Sequence, residues 1–410
     1  MNNNILSVYK NVQFEENIVA VEYHTHFPYA SSSLGNNDEI RIPIQQKDVL
    51  VSLHESYLNI EGTIVNGKDK YKLDLLGLNF LFSEISYEIN GIEIDKTNNV
   101  GISTLIKTLL SVSQQNYNSY ETAGFHYYNS PIVNISGNDL VFKINIPLKY
   151  LLGFASDYNC ALIYSRQELI LKRDRLDTNV ITIASNNVKA ADNPTSIVLK
   201  TVSWKVPYIK ISDHARITFL GNLKQNKLIN LPFRQWTLYE YPNLPKDTKD
   251  CTWTVKMSSH LDRPTYIALA FQTARKYNLE KSISKFDHIN LREFKIYFNS
   301  VYVPYESQNC NFKNKDIGLL YYDFLNFKKK YDGTDNDNSI INQEKYISDH
   351  PIFVSNLSYR NEDLKSGPVD IKIVFSTSEP IPDSTTCYAL FFNDKLFNYS
   401  PLYETVVKVF

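Results

Sequence analysis

Cysteine is scarce in this chain of 410 residues: there are four, Cys160, Cys251, Cys310 and Cys387. Spacings of 91, 59 and 77 residues give no CxxC pair and no disulfide framework, so reduced and mostly buried thiols are expected. Charge of one sign is also lacking, with 43 Lys and Arg against 44 Asp and Glu and a formal charge of -1. A chain that packaged nucleic acid by itself would carry a positive excess for the phosphates, so that task is not expected. No apolar run approaches the roughly 18 residues of a membrane-crossing helix. The opening Met1-Asn-Asn-Asn-Ile5 has neither the basic start nor the apolar stretch of a signal peptide. The expected location is therefore the cytoplasm or nucleus, where the sequons at Asn134, Asn356 and Asn398 carry no weight. GxSxG, HExxH, P-loop and GxGxxG signatures are all missing. The expectation is a non-enzyme, with no catalytic, cofactor-binding or metal-ligating residue assigned and no cofactor.

What the chain does have is aromatic residues, 29 Tyr and 22 Phe, within a hydrophobic share of 43% and a charged share of 21%. That is a globular composition weighted towards strands. The length suggests about two or three domains. Strands are predicted over 18–23, 39–44, 57–65, 83–95, 140–146, 161–173 and 197–211. Further strands are predicted over 236–241, 252–257, 265–273, 293–303, 352–357, 369–376 and 386–392. Many short strands punctuated by Asn, Asp, Gly and Pro indicate an all-β sandwich or barrel. Helical spacing is confined to Ile102, Leu105, Ile106 and Leu109, to Ile317, Leu320, Tyr321, Phe324 and Tyr331, and to a weaker segment from a Ser212 N-cap to about Leu223. Lys328, Lys329 and Lys330 close the second of these, where cations suit the helix dipole better than they suggest a binding patch.

An internal repeat appears when the sequence is laid on itself at an offset of 209 residues. Tyr57, Leu58 and Ile60 fall on Tyr266, Ile267 and Leu269. Without a gap, Phe80, Phe82, Glu84, Ile85, Tyr87 and Ile89 fall on Ile289, Leu291, Glu293, Phe294, Ile296 and Phe298. Asn90 falls on Asn299, Ile92 and Ile94 fall on Val301 and Val303, and each copy then enters a helix. Two copies of one strand-rich domain are expected, over 1–211 and 231–410, joined by a connection at 212–230.

Asn90-Gly91 signals a two-residue hairpin, because a type I′ turn needs positive φ at both central residues. That register pairs Ile89 with Ile92, Glu88 with Glu93 and Tyr87 with Ile94. Facing carboxylates repel, so a compensating cation is expected nearby. The second copy has Tyr297 and Tyr302 at those places, an attractive pair if Asn299-Ser300 turns likewise.

Each candidate site has a plainer alternative. Glu88 and Glu93 are the one carboxylate pair with a geometric argument for glycosidase chemistry, but solvation or a neighbouring cation is the favoured account. His24 and His26 share a strand face, yet no third metal ligand is recognisable nearby. Tyr117, Tyr120, Phe125, Tyr127 and Tyr128 have faces for sugars or bases, and a protein contact is favoured over either. Long connections at 174–194, 309–315 and 332–350 exceed what strand linkage requires.

The stretch LFSEISYEINGIEID at 81–95 resembles a segment of the double jelly-roll major capsid proteins of large eukaryotic DNA viruses. NDEIRIPI at 37–44, NVGI at 99–102, IPLKYLLGF at 146–154 and SKFDHIN at 284–290 resemble short capsid-like proteins of Polinton-like or related integrated viral elements. The resemblance implies two tandem eight-stranded jelly rolls with a few short helices. It further implies a homotrimer of pseudo-hexagonal outline that tiles an icosahedral virion shell, with a penton or minor capsid protein as partner. No sequence-specific nucleic-acid binding and no membrane span are implied. The long loops are then expected at an outer tower or a subunit seam, and the residues before Ile18 as braces between neighbours. The competing class is a two-domain carbohydrate-binding β-sandwich protein or an enzyme built on one.

Overall fold

The computed structural model describes residues 17–29, 34–128, 133–184, 196–255, 264–298, 301–333, 339–358 and 371–409. Among these residues, sixteen principal strands divide into two sets of eight. The first set is β1 (Ile18–His26), β2 (Glu39–Ile44), β3 (Tyr57–Ile64), β4 (Phe82–Ile89), β5 (Ile92–Asn98), β6 (Asp139–Pro147), β7 (Gln167–Arg173) and β8 (Ile197–Ile211). The second is β9 (Ile229–Tyr241), β10 (Asp250–Val255), β11 (Pro264–Thr273), β12 (Leu291–Phe298), β13 (Val301–Val303), β14 (Phe353–Asn356), β15 (Ile371–Thr377) and β16 (Thr385–Ser400).

The first set makes two antiparallel sheets with strand orders 1-8-3-6 and 2-7-4-5. The second set repeats them as 9-16-11-14 and 10-15-12-13. Consecutive strands thus mostly alternate between facing sheets, which is the jelly roll. Short strands at Leu50–Val51, Asn134–Ser136 and Thr405–Lys408 extend the larger sheets, and Tyr71–Leu73 pairs with Ile181–Ile183. Alternation places the core: in β2, Ile40, Ile42 and Ile44 are buried while Glu39 and Arg41 face out.

Helices follow the predicted spacing. Helix α1 (Val100–Ser111) buries all twelve of its residues. Helix α2 (Asp213–Lys224) connects the halves; Ser212 caps it by accepting from the Ala215 N–H at 3.4 Å, and it buries only Ala215. Helix α3 (Gly318–Asp332) buries Leu320, Phe324, Phe327 and Tyr331 and ends at Gly333 with a φ of 65°. Short helices at Tyr117–Glu121, Gly153–Asp157 and Gln343–Ser348 had no clear periodic signal, being barely over one turn each.

Some predicted bounds shift. Residues 161–166 are not a strand, and β7 begins at Gln167. Strands β9 and β16 run well beyond the predicted 236–241 and 386–392, because their outer halves pair with each other beyond the second sandwich.

At the hairpin, Asn90 and Gly91 have φ values of 52° and 79°, and Ile89–Ile92 and Glu88–Glu93 pair as the turn chemistry dictates. The third expected pair fails: Tyr87 faces Asp95, and Ile94 is an extra residue in β5. This bulge lets neighbouring Ile94 and Asp95 both be buried, which a regular strand with one exposed face does not allow. The Asn299-Ser300 turn lies outside the described residues, but Tyr297 does pair with Tyr302, their rings 5.4 Å apart.

Candidate functional site

The joint between the two halves gathers several buried or half-buried charged and polar groups, Asp74, Asp95, Lys107, Asp157 and Arg234 among them. Its centre is Gly153. A Cβ there would lie 2.0 Å from the Arg234 carbonyl oxygen and 3.3 Å from the Gln235 Cα, so only glycine lets the Gly153–Asp157 turn of the first half reach the backbone of β9. Next to it, the Phe154 ring meets Phe233 edge-on at 5.2 Å, and Phe233 stacks on Phe397 at 6.0 Å.

Polar pairs flank these rings. The Arg234 guanidinium donates to both Asp157 oxygens, at 2.7 and 2.9 Å, and lies 3.6 Å over the Tyr331 ring. It also donates to the Tyr331 carbonyl. Burial opposes its charge, but the Asp157 hydrogen bonds and the Tyr331 and Asp157 electrostatics prevail and hold the guanidinium above its ordinary pKa. Asp95 accepts from the Phe154 N–H at 2.8 Å, the Lys96 N–H at 2.7 Å and the Gln235 side chain at 3.0 Å. Its burial outweighs those donors and pushes the carboxyl up. The Lys107 ammonium sits 5.3 Å from the Trp236 ring, and burial pulls its pKa down. Further along, the Asp74 carboxylate accepts from the Ser282 and Ser284 hydroxyls and the Ile283 N–H of the second half at 2.7 to 2.9 Å. The Tyr399 hydroxyl donates to the Ile163 and Tyr164 carbonyls.

The residues singled out from sequence are scattered around this joint. Glu88 and Glu93 face each other, and Glu168 lies directly across β4 from Glu88 on the other side. Partial burial and then Glu168 and Glu93 push the Glu88 carboxyl up, with Arg41 pulling against them. The expected cations are Arg41, 3.7 Å from Glu168, and Lys96, 3.9 Å from Glu93. His24 stacks on Tyr208 at 4.2 Å, and His26 lies 3.1 Å from the Tyr208 hydroxyl. Among the described residues no group of three or more His, Cys, Asp or Glu is placed to hold a metal ion.

The aromatic segment is not an open platform. Tyr117, Tyr120 and Phe125 are core residues, Tyr120 stacks on Tyr150 at 4.1 Å, and Tyr128 donates to the Ile340 carbonyl of the second half. It is a protein contact within the chain. In the last turn of α3, Lys329 and Lys330 precede Gly333 as the dipole argument expected. Of the long connections, 185–195 and 334–338 lie outside the described residues, as do residues 1–16. Sequence reasoning gave no role to Gly153, Asp95, Arg234 or Asp74; Gly153 and Asp95 stood only inside resembling motifs.

Strand order and duplication define a protein of two tandem jelly rolls. A family model described as double jelly roll-like domain matches residues 72–397, and the chain belongs to that family. Among curated proteins, none matches. The fold is shared with solved structures at low identity. One is PBCV-1 VP54 as fitted into a reconstruction of the virophage Sputnik, at 13% identity over 98% of this chain and 99% of that one, with a TM-score of 0.62. Another is a Sputnik virophage structure, at 10% identity over 100% and 92%, with a TM-score of 0.61. A third is the mavirus major capsid protein, at 13% identity over 97% and 92%, with a TM-score of 0.56. No helix among the described residues is long and apolar enough to cross a membrane.

Proposed function

We propose that this chain is a major capsid protein. It is a structural subunit without catalysis or cofactor, associating with copies of itself into a three-chain capsomer of pseudo-hexagonal outline that tiles an icosahedral virion shell. Residues 1–211 and 231–410 act as its two units and 212–230 as their connection. The observation that carries the reading is the repetition of one eight-strand order within a chain whose halves are locked by a built joint. Six such halves from three chains complete a ring of like units, and heterologous contacts close when the rotation allows. The fold shared with the mavirus major capsid protein supports it. A penton or minor capsid protein completes the vertices, and nucleic acid is enclosed without sequence-specific contact. The carbohydrate-binding alternative loses its main support, since Tyr117, Tyr120 and Phe125 are buried in the core.

The test is the mass of the purified chain by light scattering after size exclusion, with negative-stain images of the peak. A species near three times 47.4 kDa, or shells with pseudo-hexagonal units, is the expected result. A clean monomer at high concentration overturns the reading.

A further inference from the structure

The two copies of the fold are buried unequally, and the difference falls on one pair of surfaces. Register fixes the equivalent positions. Tyr57, Lys205 and Thr25 lie side by side across β3, β8 and β1; Tyr266, Phe392 and Trp236 do so across β11, β16 and β9. Stepping back along the outer strands, His24 matches Gln235, Tyr23 matches Arg234 and Glu22 matches Phe233, while Lys210 matches Phe397. In the second half this ribbon is the part clamped by the first half: Phe233 by Phe154, Arg234 by Asp157, Gln235 by Asp95 and Trp236 by Lys107. Among the described residues the same ribbon of the first half is bare on both faces of β1, with Val21 47% and Tyr23 53% exposed on one and Glu22 and His24 exposed on the other.

The clamping elements show the converse. Helix α1, which presents Lys107 to Trp236, is buried throughout. In the helical phase that lays Ile102, Leu105 and Leu109 on Ile317, Leu320 and Phe324, Lys107 falls on Tyr322. That residue of α3 is 60% exposed. Strand β5, which supplies Asp95, matches β13, whose Val301 is exposed. The counterpart of the Gly153–Asp157 turn lies outside the described residues. Among the described residues, one bare seat and one bare clamp thus remain. They are the equivalents of two surfaces that already fit each other.

We propose that the β1 ribbon of one copy is the seat for the α3 and β13 face of another, with Tyr322 of the second copy over Thr25 of the first. This rests on the self-association proposed above and assigns its seam. Chemistry distinguishes the two joints. Where the joint within the chain has the Phe233–Phe397 stack, the seat between copies carries the Glu22–Lys210 ion pair at 2.6 Å. A polar pair keeps the unoccupied ribbon compatible with water before a second copy arrives, as an exposed aromatic stack does not. The joint between copies is therefore the weaker and separable one.

The test uses the full chain with Cys160→Ser, which removes the exposed thiol. Adding Thr25→Cys and Tyr322→Cys together and treating with a short bis-maleimide is expected to give denaturation-resistant ladders of two and three chains. Either cysteine alone gives none. Separately, Tyr23→Asp, at the position that matches the clamped Arg234, is expected to shift the peak to the monomer mass with the circular dichroism of a folded chain, while Val198→Asp, at an exposed position elsewhere on β8, leaves the mass as it was. A multi-chain peak that gives no ladder and survives Tyr23→Asp overturns the seam but leaves self-association standing. A parent chain that is monomeric at every concentration removes both.

Discussion

Replacing Gly153 by alanine tests the joint most directly, because ordinary helix energetics and the packing of the joint predict opposite signs. In an open helical position, Gly→Ala stabilises by roughly 0.5–1 kcal/mol through lost backbone freedom in the unfolded chain. At Gly153 the added carbon meets the Arg234 carbonyl oxygen at 2.0 Å and its carbon at 3.0 Å. These are backbone atoms of a paired strand and cannot rotate away. Relief requires moving the Gly153–Asp157 turn by more than about 1 Å, which also stretches the hydrogen bonds from Arg234 to Asp157 and from Phe154 to Asp95. Overpacking of this kind costs about 1–3 kcal/mol, so the variant is expected to be less stable on balance. Urea unfolding followed by tryptophan fluorescence reports it well, since Trp236 is buried at the joint. A lower midpoint, or a single transition that splits as the halves uncouple, is the expected result. Gly318 is the paired control: nothing lies within 4 Å of its would-be Cβ at the start of α3, so Gly318→Ala should raise stability by up to ~1 kcal/mol. If Gly153→Ala matches or exceeds the parent midpoint, the close approach at the joint does not exist.

Three further outcomes follow from the same geometry. His350 is almost wholly buried, and that burial pulls its pKa down to about 4 even though Asp349 acts the other way. Against an unfolded value near ~6.5, the native state resists protonation, so its stability is complete above that pH and falls as pH drops towards 4, by about 3 kcal/mol in all. Thermal unfolding between pH 7 and 4 should show this slope and His350→Gln should flatten it; equal slopes would refute it. Arg234→Gln and Asp157→Asn should be strongly non-additive, with a coupling of about 1.5–3 kcal/mol in a double-mutant cycle, and additivity within ~0.5 kcal/mol would dismiss the pair as a stabilising contact. Glu88→Gln relieves repulsion from both Glu93 and Glu168 and should stabilise at neutral pH by up to ~1 kcal/mol, read as a raised unfolding temperature; a lowered one would mean that Arg41 relies on that charge.

Much of the architecture is carried by local signals. Alternation in β2, the Asn90-Gly91 turn and the spacing of Ile102, Leu105, Ile106 and Leu109 each report on residues a few positions apart, and the structure places them as those signals require. The repeat at 209 residues is readable for a related reason. Both copies keep apolar phase where β3 and β11, and β4 and β12, build their cores. Phase is a property of the strand itself and survives when neighbours change.

The joint is a different kind of information. Gly153 matters because of a carbonyl on Arg234, Asp95 because of Gln235, and Asp74 because of Ser282 and Ser284, partners between about 80 and 210 positions away whose meeting no periodicity encodes. Asp95 was further hidden by the bulge. Read as a regular strand, β5 puts Ile94 inward and Asp95 outward among solvated groups, and only the extra residue turns the carboxylate into the joint. Two carboxylates across a hairpin are conspicuous in sequence, whereas a single Asp at a bulge is not. Yet it is the Asp that accepts two hydrogen bonds from beyond its own hairpin, one of them from the opposite half. Where copies of one fold diverge, the residues worth mutating first are those whose equivalents changed character while the backbone did not. Glu22 and Lys210 against Phe233 and Phe397 meet that condition more cleanly than the carboxylate pair does.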